Sequence, residues 1–448
     1  MYLLYRFFTA LSMLLLAPYY AWRGWRRGEP FGTLAQRFGA LPPEIVARSL
    51  ASAGAVAGSG AGAVWVHAVS VGEVLAAQPL VERLKSQLPG RAVFVSTTTE
   101  TGQSLARERL KSADGVFYFP LDWVVPVRRA LRAMRPSAVI VMETEIWPNF
   151  LREARRAGIP VAFVNARISE RSFARFKRWE FLIGDFYTRV LRDPELFLAQ
   201  TPEDAARLRE MGAPEERVEV TGNLKYDSEP PAIGPFGVWL EGQIQHQERW
   251  PVLVAGSVVA EEEEAVLAAY DIVQRQWRHA LFILAPRKPD RFDTAAQISA
   301  AGGWNVVRRS TIQLDSPLDE NADILLLDSI GELAGLYLFA DVVFVGGSLV
   351  PSGGHNILEP AWFSKVPVFG SSMENFRDMA NQFLASKAGI QVDTGQQLGK
   401  VWVQLIENNM LRQRMGQTAR QLSERNRGAA ARVLDRIAAL LDGVEHSV

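Results

Sequence analysis

Residues 341–370 read DVVFVGGSLVPSGGHNILEPAWFSKVPVFG. Val342–Val345 is an apolar, β-branched run of the kind needed by a parallel strand buried on both faces. Gly346 and Gly347 end it, and a loop from Ser348 to Gly354 follows with two more glycines. The segment from His355, HNILEPAWF, predicts a short helix, and Val366–Phe369 the next strand. A strand, a glycine-rich turn and a helix start bring free backbone N–H groups and the positive end of a helix dipole to one point, which suits a phosphate. Glycines alone would mean only a tight turn. The polar trio His355, Asn356 and Glu359 beside them points to a ligand. Asn356 and Glu359 are three apart, so on a helix they share a face. A carboxylate one turn inside such a helix can accept hydrogen bonds from ribose hydroxyls. The stretch predicts a nucleotide site at the carboxyl edge of a parallel sheet.

Working outward, the same alternation of apolar run and amphipathic segment repeats on both sides. Toward the C-terminal half the strands are Val252–Ala255, Leu281–Leu284, Val306–Arg308 and Ile324–Leu327. The helices between them are Ala260–Trp277 and segments starting at Asp290 and Gly331. Earlier in the chain come Val64–Val69, Ala92–Ser96, Val116–Phe119, Ala138–Met142, Val161–Val164, Leu196–Ala199 and Val218–Thr221. Continuous apolar strands separated by helices mean doubly wound parallel sheets. Thr201-Pro202-Glu203-Asp204 carries a cap, a proline at the first helical position and first-turn acids, and Gly212 closes that helix. Ser228–Gly237 (SEPPAIGPFG) is proline- and glycine-rich and reads as a linker. The organisation is therefore an N-terminal Rossmann-like domain over 63–227, a linker over 228–237, and a C-terminal Rossmann-like domain with terminal helices over 238–448. Two such domains facing across a cleft make a GT-B type α/β fold, with ligands at the carboxyl ends of the strands. Glu261–Glu264 reads as the solvated first turn of a helix, favoured by its dipole. Leu411–Leu441 reads as one long helical stretch.

The N-terminus adds an appendage. Tyr2–Trp22 is apolar apart from Arg6, close to the ~20 residues that cross a bilayer. Arg23, Arg26 and Arg27 follow at once. A cleavable signal peptide has the reverse order. Residues 1–27 therefore predict a membrane-anchor helix with a basic flank, and the positive-inside rule puts the remainder in the cytoplasm, tied to the inner face of the membrane. Residues 28–62 predict a short surface helix and an Ala/Gly/Ser linker.

Composition narrows the function classes. The chain has 448 residues, enough for two α/β domains, and 49 basic residues balance 49 acidic ones. Nothing suggests a nucleic-acid binder. With no cysteine and five histidines, none at metal-ligand spacing, disulfides and thiolate metal sites are excluded.

Several strand ends carry groups capable of chemistry. HAVSVGE places His67, Ser70 and Glu73 after the first strand, with Glu73 at the start of a helix. TTTETG (Thr97–Gly102) is a polar turn after the second. METEIWPN places Glu143 and Glu145 after an apolar strand, where alternate residues face one side together; like charges this close shift pKa values or meet a cation. Asn165, Arg167 and Lys225 end further strands. In the second domain Pro286 and Arg287 end a strand where a guanidinium can pair with phosphate, and Gly331-Glu332 starts a helix after Asp328. Arg171, Arg175, Lys177 and Arg178 interleave with Phe173, Phe176 and Trp179, a pattern suited to a solvated helix face or to anionic lipid headgroups.

HAVSVGE, METEIWPN, VNARIS, GNLKYD, APRKP, DSIGEL and GGHNILEP, in this order after an apolar N-terminus, resemble the transferases of 3-deoxy-D-manno-octulosonic acid (Kdo). These attach Kdo to the lipid A precursor of lipopolysaccharide, and the resemblance covers nearly the whole chain. It implies CMP-Kdo as donor, a lipid A precursor as acceptor, inverting transfer and no metal or other cofactor. Carried over residue by residue, it implies Glu73 as general base, with Glu143 and Lys225 positioning substrates or stabilising the transition state. It implies contacts to CMP from Pro286 and Arg287, from Ile330, Gly331 and Glu332, and from Asn356, Ile357, Leu358 and Glu359. Lys288 stands where many relatives have histidine, and GSVVAEEEE (Gly256–Glu264) departs locally from the family pattern. The competing expectations are another membrane-associated GT-B glycosyltransferase, a sugar-nucleotide epimerase, or a membrane-tethered nucleotide-sugar binding protein without catalysis.

Overall fold

The computed structural model describes residues 2–12, 31–54 and 62–445. The chain divides into two compact units, one of Met1–Ser228 with Asn426–Val448, the other of Glu229–Arg425.

The first unit holds seven strands: β1 Val64–His67, β2 Val93–Thr97, β3 Gly115–Tyr118, β4 Ala138–Met142, β5 Val161–Ala166, β6 Leu196–Ala199 and β7 Val218–Val220. They form one parallel sheet in the order β3-β2-β1-β4-β5-β6-β7. Alternate residues of each strand enter two separate cores. Trp65, Phe94, Val139 and Phe163 face one layer, and Val64, Val93, Ile140 and Val164 the other. Burial on both faces explains why the strands read as unbroken apolar runs. The strand order reverses between β1 and β4.

The second unit repeats the design with β8 Val252–Val258, β9 Leu281–Pro286, β10 Val306–Arg308, β11 Ile324–Leu326, β12 Val342–Val345, β13 Val368–Phe369 and β14 Ile390–Gln391. Its parallel order is β10-β11-β9-β8-β12-β13-β14, so the reversal falls between β8 and β12. The two-residue strand β14 has no apolar run to announce it. Thr201 caps the helix Pro202–Glu210 by accepting from Asp204 N–H at 3.1 Å, as its sequence predicts.

The C-terminal stretch and the acidic run differ from the sequence expectations. The stretch 411–441 is two helices, Asn409–Arg425 and Ala429–Glu445, broken where Gly428 takes φ 91°. The second of them packs through Ala430, Val433, Leu434, Ile437 and Leu441 on the core of the first unit, whereas the sequence assigns the whole C-terminus to the second domain. Asp227, the last residue of GNLKYD, accepts the N–H groups of Gly428 and Ala430 and so fastens the returning helix. The run Glu261–Glu264 is not solvated throughout: Glu262 and Glu263 are buried, and Glu263 accepts from the Arg291 guanidinium at 2.9 and 3.0 Å.

Of the N-terminal apolar segment, residues 2–12 are helical and 13–30 lie outside the described residues. Among the described residues no helix is long and apolar enough to cross a membrane. Residues 2–12 lie against the first unit. Tyr2 Oη–H donates to Asp193 at 2.7 Å, Tyr5 Oη–H to Asp122 at 2.8 Å, and Arg6 to Glu153 at 2.5 Å. The opposite side of this helix exposes Leu3, Leu4, Phe7, Phe8 and Leu11.

Candidate active site

The carboxyl ends of β1 and β4 adjoin where the strand order reverses, the usual ligand position in an open parallel sheet. After β1, Ser70 precedes the helix Val71–Gln87, and Glu73 stands in its first turn. The Glu73 carboxylate turns back on the strand end: Oε2 accepts from Val69 N–H at 2.8 Å and Oε1 from Ser70 Oγ–H at 2.9 Å. Only 6% of the residue is exposed. Burial pushes its carboxyl up to about 7, the charge of Glu143 adds to the rise, and the two hydrogen bonds oppose it. A first-turn glutamate that only balanced the helix dipole would be solvated and ionised throughout. A carboxyl titrating near neutrality is suited to take up a proton in a reaction.

Glu143 follows β4 with φ 54°, a left-handed conformation uncommon for a residue with a side chain. Its N–H still donates to Val164 O at 2.9 Å. Glu145 belongs to the same acidic group: burial, then Glu143, push its carboxyl up. Between them Thr144 Oγ1 donates to Arg167 O at 2.6 Å and accepts from Arg167 N–H at 2.9 Å, tying the ends of β4 and β5 together. His67 is structural. It is fully buried, stacks on Phe119 with ring centroids 3.8 Å apart, and hydrogen bonds Ser96 through Nδ1. Burial drops its pKa to about 3.

Lys225 sits in the turn Leu224–Asp227 after β7. A row of amides holds that turn. Asn165, at a bulge between β5 and β6 with φ 56°, accepts from Leu224 N–H at 2.9 Å. Gln200 donates to Asn165 O at 3.0 Å and accepts from Asn223 Nδ2 at 3.1 Å. Asn223 Oδ1 in turn accepts from Lys225 N–H at 3.0 Å.

In the second unit the segments expected to hold CMP follow the adjacent strands β11 and β9 and, across β8, the strand β12. Arg287 follows β9, its N–H bonded to Val258 O at 2.8 Å, and its exposed guanidinium bears on two groups after β12. Burial drives the Glu359 carboxyl up to about 7, opposed by Arg287 and a hydrogen bond from Asn356. Burial, then Arg287, lower the His355 imidazole to about 4, and its Nε2 is a buried atom without a partner. Tyr337, fully buried, is a neighbour that sequence reasoning missed: burial, then Glu359, raise its phenol. Gly256 is needed beneath it, since a Cβ there would lie 1.9 Å from Tyr337 Oη. Ile330 is 72% exposed, Gly331 takes φ 94°, and the Glu332 carboxylate accepts from Arg309 at 3.0 and 3.1 Å.

The helix after β12 is shorter than its sequence predicts, Leu358–Trp362. Asn356 therefore precedes it and accepts from Leu358 N–H at 3.1 Å. Asn356 and Glu359 meet by a hydrogen bond, not by sharing a helix face. Ile357 and Leu358 are fully buried, so only their backbone can reach a ligand. The glycine turn also differs. Its amides are already occupied: Gly347, Ser348 and Leu349 donate to Glu262 at 2.7 to 2.8 Å, Gly353 to Ser372 Oγ at 2.9 Å, and Gly354 to Gly347 O at 2.7 Å. The turn is thus not an open phosphate cradle, because the chain supplies its own carboxylate. The exposed Arg287 guanidinium beside it is one group open to an anion. Among the described residues no three His, Cys, Asp or Glu side chains gather as metal ligands.

Residues 33–228 match the family described as 3-deoxy-D-manno-octulosonic-acid transferase (kdotransferase). The 3-deoxy-D-manno-octulosonic acid transferase of Haemophilus influenzae is 33% identical over 83% of this chain and 86% of its own length. That of Bordetella pertussis is 34% identical over the same shares. The chain belongs to the Kdo transferase family. It is a glycosyltransferase. The crystal structure of Acinetobacter baumannii MurG, 15% identical, covers 84% of this chain and 99% of its own with a TM-score of 0.53, which shows the shared GT-B type fold.

Proposed function

We propose that this Kdo transferase moves Kdo from CMP-Kdo to a lipid A precursor of the tetraacylated type (lipid IVA) with inversion at the anomeric carbon. The observation that carries the proposal is the buried Glu73 carboxyl, raised to about 7 at the reversal point of the first sheet. Glu73 takes the proton of the acceptor hydroxyl as that oxygen bonds to the anomeric carbon of Kdo. The bond from that carbon to the CMP phosphate oxygen breaks, and CMP leaves with the electron pair. The anionic leaving group calls for a fixed cation, a role suited to Arg287. Pro286, Ile330–Glu332 and Asn356–Glu359 surround the nucleotide, Ile357 and Leu358 through their backbone. Glu143 and Lys225 orient the acceptor and the carboxylate of Kdo. A carboxylate base and a guanidinium leave no step that requires a metal.

The acceptor is a lipid, and the reaction is placed at the inner membrane on the cytoplasmic side. Residues 2–12 support this by docking with tyrosines and an arginine while turning Leu3, Leu4, Phe7, Phe8 and Leu11 outward. Phe186 of the helix Glu170–Leu191 packs on Tyr2 and Tyr5, and that helix exposes Trp179, Phe181 and Leu182. An apolar face beside basic residues matches an interfacial helix better than a span. The test is incubation of purified protein with CMP-Kdo and tetraacylated lipid A precursor. A lipid product heavier by whole Kdo residues supports the proposal and counts the sugars added. An unchanged lipid with folded protein overturns the assignment of donor or acceptor.

A further inference from the structure

Glu262 is a fully buried carboxylate that the transfer chemistry above does not use. Its Oε1 accepts from Ser348 N–H and Leu349 N–H, each at 2.8 Å, and its Oε2 from Gly347 N–H at 2.7 Å and Val259 N–H at 3.1 Å. Among the described residues no lysine, arginine or histidine forms an ion pair with it, so backbone dipoles alone meet its charge. Successive N–H groups in a turn form an anion-binding concavity, and here the anion belongs to the protein. The residue lies just before the helix Glu263–Gln274 that follows β8, and the turn it fills follows β12. Glu262 thus bridges the two strand ends between which the second sheet reverses.

The same turn is gripped from its other side. Ser348 Oγ donates to Val345 O at 2.6 Å and accepts from Gly370 N–H at 2.8 Å, and Ser348 O accepts from Ser372 N–H at 2.9 Å. Gly347 O accepts from Gly354 N–H at 2.7 Å, one residue before His355. A Cβ on Gly347 would lie 2.8 Å from the His355 imidazole. The position of Gly347 therefore sets the position of His355 and, through it, of Asn356 and Glu359.

We propose that Glu262 is a positioning residue for the donor, an internal anion that locks the Gly347–Leu349 turn so that Arg287, His355, Asn356 and Glu359 are preorganised before the nucleotide binds. This rests on the second unit being the donor unit. Glu262→Gln keeps the shape but replaces one acceptor oxygen with an NH₂ group that faces N–H donors. Buried N–H groups then lose their partner.

The test is amide hydrogen exchange on the full-length protein, without ligand and with CMP, on wild type and Glu262→Gln, together with CMP affinity and donor and acceptor KM. In ligand-free wild type the amides of Gly347, Ser348 and Leu349 are expected to be as protected as those of β8 and β12. In the variant those three exchange faster while β8 and β12 do not change. The CMP Kd and the donor KM rise about tenfold or more, and the acceptor KM and the melting temperature of the first unit stay put. Wild-type amides at 347–349 that exchange freely until CMP is added would overturn the proposal, since they would then belong to the ligand. A variant with unchanged CMP affinity and donor KM would overturn it as well. If the variant does not fold, the wild-type exchange data still decide whether the turn is locked. Wild type that is protected at 347–349 but does not bind CMP would overturn the donor-positioning role and, separately from the lock, the assignment of the nucleotide.

Discussion

Glu73 shows what a residue can and cannot disclose in sequence. The spacing Ser70-Val71-Gly72-Glu73 reads as a helix start, and a glutamate there is commonly a surface dipole partner. Burial and the nearby Glu143 turn it into a group titrating at about 7, and neither is written locally. With its folded pKa above the ordinary carboxylate value, the folded state binds the proton more tightly than the unfolded chain. Stability from this group is therefore full below about pH 4.5 and declines as pH rises toward 7. Glu73→Gln escapes that penalty, so thermal or denaturant unfolding should find the variant equal to wild type near pH 4 and about 1–3 kcal/mol more stable at pH 8. In wild type, kcat/KM should rise with pH through about 7 as the base ionises. Glu143→Gln, by removing a neighbouring negative charge, should move that rise to lower pH. Arg287→Gln should weaken CMP by about tenfold or more in a calorimetric titration, since a charge-assisted contact to phosphate is lost.

Elements were legible where one local pattern decides them. Thirteen of the fourteen strands coincide with strand runs read from the sequence, most of them continuously apolar because burial on both faces demands hydrophobic residues. The glycine turn after β12 departs from its local pattern for a non-local reason: the carboxylate that fills it comes from Glu262, 85 residues earlier than Gly347. The acidic run that supplies it reads as a solvated helix start, and nothing local marks its second residue as buried. The N-terminal helix is the opposite case. Its apolar character was evident, but the docking bonds of Tyr2, Tyr5 and Arg6 to Asp193, Asp122 and Glu153 reach partners more than a hundred residues away. If the outward face meets lipid, Leu4→Asp with Phe7→Asp should weaken co-sedimentation with anionic phospholipid vesicles severalfold while leaving CMP binding unchanged. Equal co-sedimentation would place the contact elsewhere.

At the scale of the molecule, two doubly wound units follow from alternating strands and helices, and the sequence carries that much. The return of the chain end to the first unit does not show in it, since Ala429–Glu445 is an amphipathic helix that fits either core equally well by pattern. Its buried Val433, Leu434, Ile437 and Leu441 are each worth about 1.5–3 kcal/mol of apolar burial. Ending the chain at Arg425 should therefore unfold or strongly destabilise the first unit, seen as loss of its cooperative melting, while residues 229–425 expressed alone should still fold. A first unit that melts normally without the last helix would contradict this packing.

The most direct measurement is CMP release from CMP-Kdo, with and without tetraacylated lipid A precursor, by wild type and by Glu73→Gln. Wild type should release CMP only when the lipid is present, and the variant should lose about 10²–10⁴-fold of that rate. Lipid-dependent release at the wild-type rate in Glu73→Gln would contradict the assignment of Glu73 as the base.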